Sequence, residues 1–220
     1  MNNNEYYIAI EERIKILQEL RKVGTSLAKG IIGKSLFTED LFFCASLDRC
    51  MNLIDGFVVM LRKRNLTCVG ALLRLQMDNC MRSYAAFIAK DKQAVINCII
   101  SGEQINKQVS KDGVKMSDGY LKSELSKIDT RFANVYKQAS GYIHLSEKAF
   151  YQTVVNVDNN KIDFQVGIEL PEKRNPVLIE AADAFIHFIK LHFWMLDAVA
   201  DSKERVDQFD HVFKGERPQD

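Results

Sequence analysis

A short segment from Tyr136 to His144 carries the side chains best suited to chemistry in this chain. Tyr136, Ser140 and His144 lie at i, i+4 and i+8, so on a helix their side chains share one face. Imidazole exchanges protons near neutral pH, and here it has two hydroxyl groups beside it. The segment therefore predicts either part of an active site or a polar contact inside a helix bundle, and the sequence leaves both open.

A second polar row consists of Arg74, Asp78 and Arg82, again at i, i+4 and i+8. As an exposed ion-pair ladder, such a row contributes roughly 0.2–0.5 kcal/mol per pair. As a binding site, the two guanidinium groups would hold a phosphate or another anion, with Asp78 orienting them. Both interpretations stay open. We call this row and the Tyr136–Ser140–His144 row together the polar seam.

Two further histidines have different surroundings. His192 falls in an apolar stripe, so we expect it to have a structural role. His187 shares a helix face with Asp183, Lys190 and Trp194, which predicts a surface or subunit contact. His144 is therefore the candidate general acid and base.

Common nucleotide and metal motifs are missing from the sequence. It contains no Walker loop, no G-x-G-x-x-G and no H-E-x-x-H. The five cysteines form no C-x-x-C pair and fall within helical patterns, which is typical of reduced thiols used as small apolar groups. We therefore expect no metal and no cofactor.

Composition limits the partners. The 220 residues are 47% hydrophobic and 27% charged, as in a globular protein, and the net charge is +1. A near-neutral balance disfavours the broad basic surface that non-specific nucleic-acid binding needs. The sequence shows neither a signal-peptide pattern nor an uninterrupted apolar run of membrane-spanning length. We expect a cytoplasmic protein with no membrane contact.

Helical periodicity dominates the chain. The first helix is predicted over about residues 5–23, ended by Gly24, and the fifth is predicted to bend near Asp129. One apolar stripe of the second helix repeats at steps of four and three residues, as a core face does: Phe43, Leu47, Cys50, Ile54, Phe57 and Leu61.

The pattern changes near residues 150–168, where two β-branched runs flank Asp158-Asn-Asn-Lys161. Asn tolerates the left-handed conformation of tight turns, so these runs predict a β-hairpin. The predicted fold is mainly α, a bundle of about five or six helices carrying this one hairpin. It forms a single domain over residues 1–202, followed by a charged C-terminal tail over residues 203–220.

The Arg-plus-acid row and the later Tyr…Ser…His segment together resemble an uncharacterised family of bacterial helical proteins. The likeness covers roughly residues 66–150 and implies no established activity. It does imply a convergence in space of Arg74, Asp78, Ser140 and His144. We therefore expect the two rows of the polar seam to meet.

A more distant resemblance is to HEPN domains, helical bundles that often act as ribonucleases in toxin and antiphage systems. Their signature is an Arg followed after a short spacer by a His, with the two side chains completing a composite site across a dimer. Arg205 and His211 fit that spacing, whereas His144 has no Arg at the required distance.

Two functional hypotheses follow. In the first, the protein acts through homo-oligomer or protein-partner contacts, or binds a small anionic ligand at the polar seam. In the alternative, His144 is the general acid and base on an RNA phosphodiester. Arg74 and Arg82 would then bind phosphate, and Tyr136 or Ser140 would orient the imidazole. RNA is a partner only under this alternative.

Overall fold

The computed structural model describes residues 1–144, 154–158, 161–164, 166–167 and 170–208. Seven α-helices occupy most of these residues, so the mainly α fold is confirmed. The helices are α1 (Asn3–Ile32), α2 (Thr38–Arg62), α3 (Leu66–Ile88), α4 (Lys92–Ile100), α5 (Asp118–Ile128), α6 (Phe132–Ile143) and α7 (Asn175–Gln208). Short 3-10 helices span Ile105–Lys107 and Glu172–Arg174, and the strands are β1 (Val154–Asp158) and β2 (Lys161–Phe164).

Four long helices form the main bundle. In order around the bundle, α1 packs on α2, α2 on α3, α3 on α7, and α7 back on α1. Helices α5 and α6 cover α3 as a second layer, and α4 lies against α2 and α3. The polar seam therefore lies between the main bundle, which supplies α3, and the layer that supplies α6.

The predicted core stripe of α2 is confirmed, because all six of its residues are buried. At the centre of the bundle, the rings of Phe57 on α2 and Phe185 on α7 stack with their centroids 3.8 Å apart. Burial of large aromatic side chains in this way is the main favourable contribution to such a core. None of the described helices is both long and apolar enough to cross a bilayer.

The first helix does not end at Gly24, which corrects the predicted boundary. A Cβ atom at Gly24 would lie 3.2 Å from both Met51 Sδ and Phe193 Cζ. The glycine therefore lets α2 and α7 approach α1 closely, and the helix continues through it to Ile32. A glycine used for packing and one that ends a helix look the same in sequence.

The predicted bend at Asp129 is a complete break between α5 and α6. The backbone of Asp129 is extended, its Oδ1 accepts a hydrogen bond from the Arg131 N–H at 3.0 Å, and its carbonyl accepts from the Phe132 N–H. An Asp side chain that binds the backbone two residues ahead offers an alternative to helical hydrogen bonding. This break raises the helix count above the expected five or six.

The hairpin lies where the β-branched runs predicted it. Strand β1 pairs antiparallel with β2, with Asp158 opposite Lys161. The last helix runs to Gln208, beyond the predicted start of the tail at residue 203, because Lys203 is buried against Asp40. Residues 209–220 of the predicted tail lie outside the described residues.

Candidate functional site

Arg74 on α3 joins the two rows of the polar seam. Its Nε donates to Ser140 Oγ at 3.2 Å, and its Nη2 donates to the Tyr136 hydroxyl. The guanidinium carbon also lies 3.7 Å from the centroid of the Tyr136 ring. Only 12% of the Arg74 side chain is exposed. The contact expected between the two rows is therefore present at Arg74, Tyr136 and Ser140.

Asp78 pairs with both arginines of its row, Arg74 and Arg82. Arg74 Nη1 lies 3.1 Å from Asp78 Oδ1, and Arg82 Nη2 lies 3.8 Å from the same oxygen. Arg82 Nη2 also donates to Asp118 Oδ1 at 2.8 Å, at the start of α5. The row thus continues across to the second layer and is more than an exposed ladder on α3.

The surroundings of Arg74 leave it little capacity for a ligand. Its Nε and both Nη atoms already face Ser140, Asp78 and Tyr136. Burial raises the pKa of the Tyr136 hydroxyl, although the charge of Arg74 opposes this, so the phenol stays protonated at neutral pH. Arg74 therefore fixes α6 on α3, which is a structural role.

His144 lies apart from this cluster. Helix α6 ends at Ile143, and His144 follows it in an extended conformation, with its backbone N–H 3.4 Å from the Ser140 carbonyl. The side chain is exposed, and within the described residues no hydrogen bond or ion pair joins it to Arg74 or Arg82. His144 is thus the residue that caps α6, and its place on a face shared with Tyr136 and Ser140 stays a prediction.

Arg82 borders a cavity of about 720 Å³. Its walls come from the end of α4, the following loop and the start of α5, and they include Gly102, Glu103, Asp118 and Gly119. Arg82 Nη1 is buried and has no hydrogen-bond partner within the described residues. The cavity beside Arg82 is therefore the candidate place for a small molecule to bind at the polar seam.

Other chemistry is limited in the part of the chain that the structure describes. That part holds no group of three or more His, Cys, Asp or Glu side chains placed to bind a metal ion. All five cysteines are free. Burial raises the pKa of Cys50 to about 12 and that of Cys80 well above its ordinary value, so neither is a reactive thiolate.

A cluster of Asp129, Arg131 and His187 was not predicted from the sequence. His187 Nε2 binds the Asp129 carboxylate, and Arg131 Nη2 lies 2.9 Å from His187 Nε2 and 3.1 Å from Nδ1. Burial raises the pKa of Asp129, but hydrogen bonds from Arg131 and His187 outweigh it and hold that pKa below its usual value. Because His187 lies on α7 and Asp129 lies between α5 and α6, the cluster fastens α7 to the corner between those two helices. The one related prediction from the sequence was that His187 makes a surface or subunit contact.

His192 is the centre of a second, fully buried polar network. Its Nε2 lies 2.8 Å from Ser46 Oγ on α2 and 3.0 Å from Ser83 Oγ on α3. Asn79 donates to the Ser46 carbonyl at 2.8 Å. The network joins three helices of the bundle and agrees with the structural role predicted for His192.

No protein-family model matches this chain, and comparisons with curated proteins and with solved structures found no match either. The resemblances to an uncharacterised bacterial family and to HEPN domains therefore stay predictions. His211 of the HEPN-like pair lies outside the described residues.

Proposed function

We propose that this chain is a cytosolic helical-bundle protein that binds a small anionic molecule in the cavity beside Arg82. The position of Arg82 carries the proposal, because its side chain lines the cavity while its Nη1 has no hydrogen-bond partner in the described structure. A buried donor without an acceptor costs roughly 1–3 kcal/mol. Nη1 itself is closed to solvent, so an anion would contact the exposed 28% of the Arg82 side chain and would reach Nη1 only if that side chain moved.

The start of α5 supports the same ligand class. Ser117 caps this helix by accepting the Tyr120 N–H, and Gly119 in its first turn lines the cavity. The first backbone N–H groups of a helix favour negative charge. Glu103 and Asp118 also line the cavity, so a small molecule with one anionic group and several hydrogen-bond donors fits better than a polyanion.

The cysteines support the cytosolic part of the proposal. All five are free thiols, as is usual where cellular reductants keep cysteine reduced. Contacts with an oligomer or a protein partner stay a second prediction, and the surface around Trp194 favours it.

Amide NMR with inorganic phosphate and acetate as probes tests the ligand site. We expect saturable chemical-shift changes at the Gly102 and Gly119 amides in the wild type, because both residues line the cavity. Arg82→Gln should weaken the response about tenfold or more. Arg62→Gln is the matched control, since Arg62 pairs with Glu11 on the surface of the main bundle.

Equal affinity in wild type and Arg82→Gln, or shifts of the same size in Arg82→Gln and Arg62→Gln, would contradict the proposal. The first result would place the anion elsewhere. The second would show a general effect of losing one positive charge.

Ribonuclease activity of His144 is the alternative prediction and has its own test. RNA integrity and growth are compared in cells that express the wild type or His144→Ala. Cleaved RNA in the wild type alone would support the alternative. Intact RNA in both would remove it and would leave the ligand-binding proposal unaffected.

A further inference from the structure

We propose that the groove between α1 and α7 around Trp194 is a docking surface for a protein segment that carries lysine or arginine beside apolar side chains. Trp194 is the only tryptophan of the chain, and 61% of it is exposed. A large aromatic ring with a polar N–H is typical of interface anchors. This surface is distinct from the Arg82 cavity and goes beyond the ligand-binding proposal.

The floor of the groove is apolar. Val23 and Leu27 of α1 face Phe193 and Ala200 of α7 across a groove of about 570 Å³. Val23 is itself half exposed. Apolar side chains gathered with an exposed tryptophan indicate a site that an apolar side chain of a partner can fill.

The rim of the groove is acidic. Asp197 and Asp201 both line it, lie one turn apart on α7 and are exposed. Like charges at this spacing repel each other and weaken a helix slightly. Lys190 precedes Trp194 by one turn, but no ion pair among the described residues joins it to either acid. Among the side chains that the structure describes, neither carboxylate has an ion-pair partner, and a basic partner segment would supply one.

The negative charge of the rim favours a basic partner over other kinds of partner. In a two-fold contact between copies of the chain, the same patch would face itself and bring the acidic pairs together. Nucleic acid and anionic membranes carry the same sign of charge as the rim. A basic partner segment pairs with the carboxylates, and its Lys or Arg can also stack on the face of Trp194.

The test uses Trp194 fluorescence and synthetic amphipathic peptides of about 14 residues, roughly four helical turns. One peptide contains Leu and Lys, and its control contains Leu and Glu in the same pattern. We expect the Lys peptide to shift the Trp194 emission to shorter wavelength in a saturable way, because the ring becomes buried. The Glu peptide should leave the emission unchanged.

Variants separate the groove from general electrostatics. Asp197→Asn with Asp201→Asn should weaken binding of the Lys peptide about tenfold or more. Asp48→Asn with Asp55→Asn removes the same charge from the exposed face of α2 and should have little effect. Val23→Ser should weaken binding several-fold through loss of apolar contact.

Three outcomes would overturn the proposal. The Lys and Glu peptides could bind equally, or the two double variants could weaken binding equally. The emission of the protein without peptide could shift with protein concentration or on addition of anionic vesicles. That last outcome would assign the groove to a second copy or to a membrane surface.

Discussion

His192 Nε2 lies 2.8 Å from Ser46 Oγ in the interior of the bundle, where the imidazole is fully buried. Burial lowers the pKa of His192 from 6.5 to about 3, so the ring is neutral in the folded protein near pH 7. Its Nδ1 has no hydrogen-bond partner within the described structure. The ring therefore fits this site in its neutral form only.

His192 should make folding sensitive to acid. Between pH 6.5 and about 3 the unfolded chain binds a proton that the folded protein excludes. The free energy of unfolding should therefore fall as pH decreases through this window, by up to about 1.4 kcal/mol per pH unit from this residue. Urea unfolding at several pH values measures the slope.

His192→Gln provides the control for that slope. Glutamine can still donate to or accept from Ser46 but does not titrate, so the variant should be less stable near neutral pH and lose stability less steeply in acid. An equally steep loss in wild type and His192→Gln would assign acid sensitivity to other groups.

Gly70→Ala should destabilise the fold. A Cβ at Gly70 would lie 2.3 Å from Tyr142 Cδ2 and 2.8 Å from Tyr142 Cβ, so α6 itself would have to move. Overpacking of this kind costs typically about 1–3 kcal/mol. Chemical denaturation measures the loss, and Gly70→Ala should cost less in a Tyr142→Ala background, which lacks the Cγ and Cδ2 atoms, than in the wild type.

Gly56→Ala is the matched control in α2. A Cβ there meets no atom nearer than Leu72 Cδ1 at 3.8 Å. Alanine should stabilise this helix by about 0.5–1 kcal/mol, since it reduces the conformational freedom of the unfolded chain. A similar loss at both glycines would show that the Tyr142 contact is unimportant.

Lys203→Met should be strongly destabilising because it leaves Asp40 as an unpaired buried charge. Lys203 Nζ lies 2.5 Å from Asp40 Oδ2 and 2.8 Å from the Ser35 carbonyl, with both side chains nearly inaccessible to solvent. Removing one partner of a buried pair costs about 3–5 kcal/mol. Thermal and urea unfolding would measure the change.

The exposed pair of Lys22 and Glu19 serves as the comparison for Lys203. The same Lys→Met change at Lys22 should alter stability by less than about 1 kcal/mol, because water screens this pair. Similar losses at the two lysines would contradict a buried ion pair at the end of α7.

Arg74→Lys should loosen α6 from α3. Lysine keeps the charge but cannot contact Ser140, Asp78 and Tyr136 at once as the planar guanidinium does. We expect a loss of about 1–3 kcal/mol. Hydrogen exchange should show faster opening of α6 in particular. Arg62→Lys, at an exposed pair with Glu11, should have little effect on either measurement.

Prediction from the sequence worked best where a single helix held all the information. The stripe of α2 from Phe43 to Leu61 repeats with the helical period, so its buried face could be identified without any knowledge of its neighbours. The ends of the helices were predicted less accurately. Gly24 lies inside α1 because α2 and α7 pack closely against it. Asp129 separates α5 from α6 because its side chain accepts a hydrogen bond from the Arg131 backbone.

Local periodicity was enough to predict the mainly α class, the buried face of α2 and the two rows of polar residues in the seam. The roles within the seam depend instead on the three-dimensional packing of the helices. It joined Arg74 to Ser140 across 66 positions, left His144 beyond the end of α6, and placed Arg82 beside a cavity. Such contacts depend on how distant helices pack, and the spacing within one helix does not encode that packing.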